Sequence, residues 1–309
     1  MTNQSLRLAQ SADKYPFATA LRCEQTTKSY SVLASDVARF ADYLIDGGVR
    51  PGDRVGIMLP NGPAFVVAFY GALHAGGVAV PMNPSQSRRA VEFFLTITDS
   101  RALFFGPRHA TATTAAAVAA GTQPVEVGRH GIARLIAGYP GRARPVPRAA
   151  DDTAVILQKA LNTNGPRTVE LTHANLFSTQ AVTACGLLQL GPDDVVMARL
   201  PLFEGFGITC GLMPAVCAGA NLVLMPKFDA SAALKEIAAQ RVTVFEGEPA
   251  MYMAMLDAAD RYSLDCSSLR ACMVVGEPLP PNVLRRFENR FGCVVLDRYG
   301  VAETPLALG

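Results

Sequence analysis

What constrains this chain most is a long alternation of short apolar runs with segments of helical period. In its second half, strand-like runs at 153–157, 195–200, 222–225, 242–245, 271–275 and 294–296 alternate with helix-like stretches at 173–185, 206–217, 230–239, 249–256 and 280–290. The first half begins the same pattern. Leu33, Val37, Phe40, Ala41, Leu44 and Ile45 recur at helical spacing, with Ser31 placed to cap the start and Gly47-Gly48 to stop it. A strand at 55–59, a helix at 64–75, a strand at 78–81, a helix at 90–97 and a strand at 102–105 follow. Strand, helix, strand units with short connections bury both faces of a mostly parallel sheet, so the expected class is α/β, doubly wound.

Half of the 309 residues are apolar and 17% are charged, which supplies core for two lobes. A formal net charge of +2, with arginines scattered along the chain, gives no footprint for nucleic acid or an acidic membrane surface. The seven cysteines are odd in number and form no C-x-x-C pair, so they read as buried thiols of a reducing cytoplasm. His74, His109, His130 and His173 lack ligand spacing, and no structural metal is expected from them. His74 and His173 read as structural histidines. The stretches 63–81 and 206–225 approach the length of a membrane span, but each breaks at small or glycine-rich turns and continues as a strand, the pattern of a buried helix feeding a buried strand. Between Gly106 and Ala150 the alternation weakens into alanine-rich and then Pro/Arg-rich sequence. This divides the chain into 1–106, a connector at 107–150, and 151–309.

The segment from Asp151 to Leu176 reads as a buried strand, Thr153 to Leu157, then a polar loop with Asn162, Thr163, Asn164, Gly165, Pro166 and Arg167, then a helix from about Thr172. That is the layout of a phosphate-binding loop. It resembles the AMP-forming acyl-CoA synthetases and their adenylate-forming relatives, whose loop reads roughly Y-T-S-G-T-T-G-x-P-K-G and runs on to x-E-L-T-H-x-N-L. The flanks 151–157 and 170–176 fit, whereas in the core 158–168 only Thr163 and Pro166 match, with Arg167 standing for lysine. A triphosphate cradle uses several glycines so that backbone N–H groups can approach the oxygens, and this loop has one.

Further segments carry the resemblance along nearly the whole chain. Leu200 to Cys210, LPLFEGFGITC, is similar to the family's L-P-x-F-H-x-x-G, with Glu204 in place of the histidine. A carboxylate there either faces the site, where like charges about 4 Å apart cost roughly 1–4 kcal/mol, or is a solvated loop residue. Gly276-Glu277-Pro278-Leu279 resembles the segment that lies along adenine and ribose. Tyr299-Gly300-Val301-Ala302-Glu303 resembles Y-G-x-T-E with the threonine hydroxyl lost at Ala302. Leu59-Pro60-Asn61 and the stretches 48–55 and 71–78 match in ways that concern fold.

The resemblance implies the large N-terminal domain of the adenylate-forming fold, two stacked doubly wound αβα subdomains, incomplete at its C-terminus, with the small C-terminal lid and its lysine absent. It implies a carboxylate, a fatty acid or similar, that attacks the α-phosphorus of ATP with Mg²⁺, then transfer of the acyl group to a thiol such as coenzyme A. It assigns Thr163, Asn164, Gly165 and Arg167 to phosphates, Gly276, Glu277, Tyr299 and Gly300 to the nucleoside, Glu303 to Mg²⁺, and Phe203, Glu204, Phe206 and Gly207 to the acid pocket. With a phosphate loop short of glycines and hydroxyls, the expectation is a ligase impaired in catalysis, with no catalytic residue assigned. A non-catalytic acyl- or nucleotide-binding or protein-interaction module is the alternative.

Overall fold

Ten of the twelve residues of the helix Pro63–His74 are buried, and so are all four of the strand Val78–Pro81 that follows it. An element apolar on every side has no solvent face and must lie inside the protein. No helix among the described residues is long and apolar enough to cross a membrane. The structure is a computed structural model that describes residues 3–128, 131–162, 165–262, 264–301 and 304–307, with side chains described outside 159–167 and 297–307.

The chain opens with α1 (Ser5–Lys14), β1 (Thr19–Cys23), β2 (Thr26–Ser29), α2 (Tyr30–Asp46), β3 (Arg54–Met58), α3 (Pro63–His74), β4 (Val78–Pro81) and α4 (Arg88–Thr98). Next come β5 (Ser100–Phe105), α5 (Ala110–Ala119), β6 (Gln123–Glu126), α6 (Ala133–Ile136), β7 (Thr153–Asn162), β8 (Gly165–Thr172) and α7 (His173–Ala181). A π-helical segment, Val182–Leu187, precedes β9 (Val195–Ala198), and a second, Gly207–Leu212, leads into α8 (Met213–Ala218). The remainder is β10 (Asn221–Leu224), α9 (Ala230–Gln240), β11 (Val244–Gly247), α10 (Pro249–Ala259), β12 (Ala271–Val275), α11 (Pro281–Phe291), β13 (Val294–Val301) and β14 (Thr304–Ala307).

Two compact units result. The first comprises Tyr30–Ser178 with the N-terminal segment to Pro16 and Leu202–Glu204. Its sheet runs β6-β5-β3-β4-β7-β8, parallel except for the antiparallel β7–β8 pair. Alternation along β5 fills both faces. Phe104 meets Phe40 of α2 edge-on with centroids 4.9 Å apart, while Leu103 and Phe105 join Phe94, Leu95 and Ala116 from α4 and α5. Each large apolar side chain so buried contributes about 1.5–3 kcal/mol. The segment 107–150 carries α5, β6 and α6 within this unit.

Buried polar contacts fasten the N-terminal segment to the same unit. The Asn3 amide donates to the carbonyls of Leu73 and Val146, both at 2.7 Å, and the Gln4 side chain donates to the His173 carbonyl at 2.8 Å. His173, fully buried at the start of α7, accepts the Gln4 backbone N–H on Nδ1 at 3.3 Å. An acceptor nitrogen in a dry site needs the neutral ring. Burial, aided by the Arg148 charge and opposed by Asp152, pulls the His173 pKa down to about 4. His74, buried with Nε2 3.0 Å from the Ala143 carbonyl, is likewise lowered, chiefly by burial. Both histidines serve structure.

The second unit comprises 17–29, 179–201 and 205–309. Its sheet runs β14-β13-β12-β11-β9-β10-β1-β2, parallel from β13 to β1, with antiparallel edges at β14 and β2. Met197, Phe245, Cys272 and Val274 form a core with Tyr252, Phe287 and Phe291 on one face. The Tyr252 hydroxyl donates to the Met273 carbonyl at 2.8 Å. At the N-terminal ends of the strands, Asp194 accepts from Thr243 at 2.6 Å, from Gly191 N–H at 2.9 Å and from both faces of the Arg270 fork at 2.9 and 2.8 Å. Burial pushes the Asp194 carboxyl up, but those donors and the Arg270 charge hold it below the usual range.

The strand and helix alternation read from the sequence is present, with corrections. Residues 165–172 are a strand rather than a loop running straight into a helix, because Val169 and Leu171 are buried while Thr168 and Glu170 are exposed, a period of two. Within the helical stretches 173–185 and 206–217, Val182–Leu187 and Gly207–Leu212 are π-helical. Cys185 is exposed rather than buried, and the Sγ atoms of buried Cys272 and Cys293 lie 3.7 Å apart.

His173 generates a pH dependence. Its folded pKa of about 4 lies below the ordinary 6.5, so between those values the unfolded chain binds a proton that the folded chain does not. Stability is therefore expected to fall as pH drops from about 7 towards 4, and His173→Gln is expected to flatten that decline in urea titrations across this range. An unchanged slope in the variant contradicts the assignment.

Candidate functional site

In the first unit the phosphate-loop segment is a β-hairpin. The β7–β8 pairs run Leu157↔Val169, Gln158↔Thr168, Lys159↔Arg167 and Asn162↔Gly165. β7 touches β4 through the Ala79↔Val155 pair, so past Leu157 the hairpin is a two-stranded ribbon. Gly165 and Arg167 thus belong to β8, whereas Thr163 and Asn164 lie outside the described residues. The pairing matters chemically. In a strand, successive N–H groups point to opposite sides, whereas an anion nest needs consecutive N–H groups that converge.

The acid-pocket segment begins in this unit as well. Phe203 is half-buried and Glu204 exposed. Their turn is held by Asn61, whose Oδ1 accepts the Leu202 N–H at 2.8 Å, so the Leu59-Pro60-Asn61 stretch supports the site as well as the fold.

In the second unit the segment continues with half-buried Phe206 and buried Gly207. A Cβ on Gly207 would lie 2.2 Å from the Pro201 carbonyl oxygen and 2.7 Å from its carbon. The helix start therefore crosses the backbone after β9 at a distance that only glycine allows. The Thr209 hydroxyl donates to the Gly205 carbonyl at 2.7 Å and ties the first π-helical turn to the loop. π-helical turns recur at functional sites, where they re-aim side chains.

The two segments that the resemblance assigns to the nucleoside meet at the C-terminal ends of β12 and β13. Val275 pairs with Arg298, so Gly276 and Tyr299 stand at the same level on neighbouring strands. Gly276 has φ +91°, a conformation favouring glycine, and is exposed together with Glu277. Tyr299 and Gly300 lie on β13, and Glu303 lies outside the described residues. The crevice beyond the carboxyl ends of parallel strands is where open α/β sheets bind ligands. Among the described residues no group of three or more His, Cys, Asp or Glu side chains is placed to hold a metal ion.

Sequence reading passed over three residues at this edge. Arg199 directly follows β9, fully buried Glu246 lies within β11, and exposed Glu248 follows it. An arginine inside the apolar run Val195 to Leu200 was the available signal.

The sequence profile of the family described as AMP-binding enzyme matches residues 8–308. A feruloyl-CoA synthase from Amycolatopsis sp is 32% identical over 292 residues, covering 93% of this chain and 57% of that protein. The crystal structure of a benzoate CoA ligase from Burkholderia xenovorans LB400 aligns with TM-score 0.90 at 29% identity, over 98% of this chain and 62% of that one. ATP-bound MatB from Rhodopseudomonas palustris aligns with TM-score 0.90 at 26% identity, over 98% and 60%. The chain thus spans less than two thirds of the length of each of these proteins.

Gly207 gives a direct check on the acid-pocket geometry. Gly207→Ala is expected to lower unfolding free energy by about 1–3 kcal/mol, the range for overpacking a close contact, while Gly191→Ala, where an added Cβ meets nothing within 4 Å, costs less. Equal melting temperatures for Gly207→Ala and wild type contradict the crossing.

Proposed function

Because the chain belongs to the AMP-binding enzyme family of adenylate-forming acyl-CoA ligases, we propose that it is the acid- and nucleoside-binding part of an AMP-forming acid–thiol ligase in which ATP-dependent activation is impaired. One observation carries this reading. Strand pairing is regular to Lys159↔Arg167 and, after a register shift, resumes at Asn162↔Gly165, so much of the backbone leading into and out of the tip is spent on a ladder rather than on a concave row of donors. With one glycine in 158–168, the segment does not fit a triphosphate.

The other subsites fit their partners better. Gly276 and Glu277, beside Tyr299 and Gly300 at the ends of adjacent strands, support a nucleoside site. The Phe206-Gly207 crossing supports an acid pocket in the second unit, and Phe203 and Glu204, on the Asn61-held turn of the first, are the other residues the resemblance assigns to the acid. Glu204 places a carboxylate where the resemblance puts a histidine, which disfavours a second anion close by. Glu303 is the residue that would hold Mg²⁺, and Thr163, Asn164, Gly165 and Arg167 are those that would face phosphates, in the weakened form just described. ATP, when bound, supplies the phosphoanhydride that activates the acid. Coenzyme A as acceptor, and a fatty, aromatic or other small carboxylate as substrate, follow from kinship with the relatives.

Binding of MgATP tests the reading. A ligand at 100-fold saturation raises stability by about 2.7 kcal/mol. The wild-type chain is expected to show no shift in melting temperature at millimolar MgATP, and a Leu161→Gly, Asn164→Gly, Ala302→Thr variant to gain one. A wild-type shift of the size expected at saturation contradicts the impairment.

A further inference from the structure

One basic residue shortly before the segment assigned to the acid is used by neither the phosphate loop nor the nucleoside segments. Arg199 stands at the C-terminal end of β9, between β11 and β10 in the sheet. Ala198 pairs with Glu246, so extending that register by one residue sets Arg199 beside Gly247, which has no side chain to cover it. A Cβ at Gly247 would press on the Phe245 ring at 2.9 Å, so this gap is fixed by the core. The guanidinium is half-buried, and its Nε is buried with no hydrogen-bond partner among the described residues. Burial lowers its pKa and the charge of Glu248 opposes that shift, though an arginine stays protonated throughout the working range. The other ionisable residues at the ends of β9, β11 and β12 are acidic: Glu246, Glu248 and Glu277.

A half-buried guanidinium with donors to spare is a receptor for a planar anion, and a carboxylate matches its fork. Its distance from the nucleoside segment decides which carboxylate. Arg199 follows β9, two strands from β12, and Gly276 follows β12. At a spacing of about 4.8 Å per strand, that separation is roughly 10 Å. An acid whose reacting carboxylate lies by the nucleoside segment presents its far end at Arg199.

We infer that Arg199 selects substrates with a second anionic group, short dicarboxylic acids, by pairing with the carboxylate remote from the reacting one. This rests on the acid-pocket reading and makes Arg199 a specificity residue. The nearby charge of Glu248 favours the charged guanidinium while leaving its donors to the substrate carboxylate, and exposed Glu277 disfavours anions at the rim.

The test is calorimetric titration of the chain with succinate, glutarate and adipate beside butanoate, pentanoate and hexanoate, for wild type, Arg199→Gln and Arg199→Lys. At least one diacid is expected to bind wild type about tenfold or more tighter than the monoacid of equal length, as a charge-assisted hydrogen bond provides. The preference is expected to vanish in Arg199→Gln and to return in part in Arg199→Lys. Monoacids binding wild type as tightly as every diacid overturn the inference and leave the acid pocket standing, as does equal weakening of both series in Arg199→Gln. Failure of all six acids to bind removes the pocket reading and the inference with it.

Discussion

Phosphate recognition by backbone depends on direction: several N–H groups from consecutive residues must aim at one point. A paired strand sends them alternately to two sides. The hairpin β7–β8 takes this second option regularly up to Lys159↔Arg167 and again, past a register shift, at Asn162↔Gly165, and the consequences spread through the first unit. A segment that spends its backbone on a ladder gains register, and with it a fixed start for α7 at His173. Amides paired in that ladder are not available to converge on an anion. Glycine content is the sequence cause, since the left-handed and extended-mirror conformations of a nest are open mainly to glycine.

Elsewhere the scaffold is closely specified. The N-terminal segment is locked by Asn3, Gln4 and His173, and the strand starts of the second unit by the Asp194, Thr243 and Arg270 cluster. Polar contacts of this kind contribute modestly when satisfied, and the buried ones around His173 cost more when one partner is lost. They fix where strands begin, and so where their C-terminal ends, which carry Arg199, Glu248, Gly276 and Tyr299, come to lie. The Gly207 crossing does the same for the acid-pocket helix.

Much of this was legible beforehand. The run of strands 195–200, 222–225, 242–245 and 271–275 emerged because parallel strands buried on both faces read as unbroken apolar runs. The glycines at 207 and 276 stood in motif positions, and each has a backbone reason, a close approach in one case and φ +91° in the other. Strand β8 escaped notice because Thr168 to Thr172 alternates over only five residues, beside a loop that invites a helix-start reading. β1 and β2 escaped because Thr19–Cys23 and Thr26–Ser29 are short and owe their state to pairing with β10 and with each other. The π-helical turns depend on tertiary packing, which no period in the sequence records. Arg199 was passed over because one charged residue in an apolar strand becomes informative only when its neighbours across the sheet are known.

Amide hydrogen exchange over residues 158–168, with and without millimolar MgATP, bears most directly on the central claim. A hairpin ladder protects alternate amides of Leu157–Lys159 and Arg167–Val169 in the free protein, and MgATP leaves that pattern unchanged. Fast exchange throughout the segment in the free protein, with protection of consecutive amides once MgATP is added, would contradict the account.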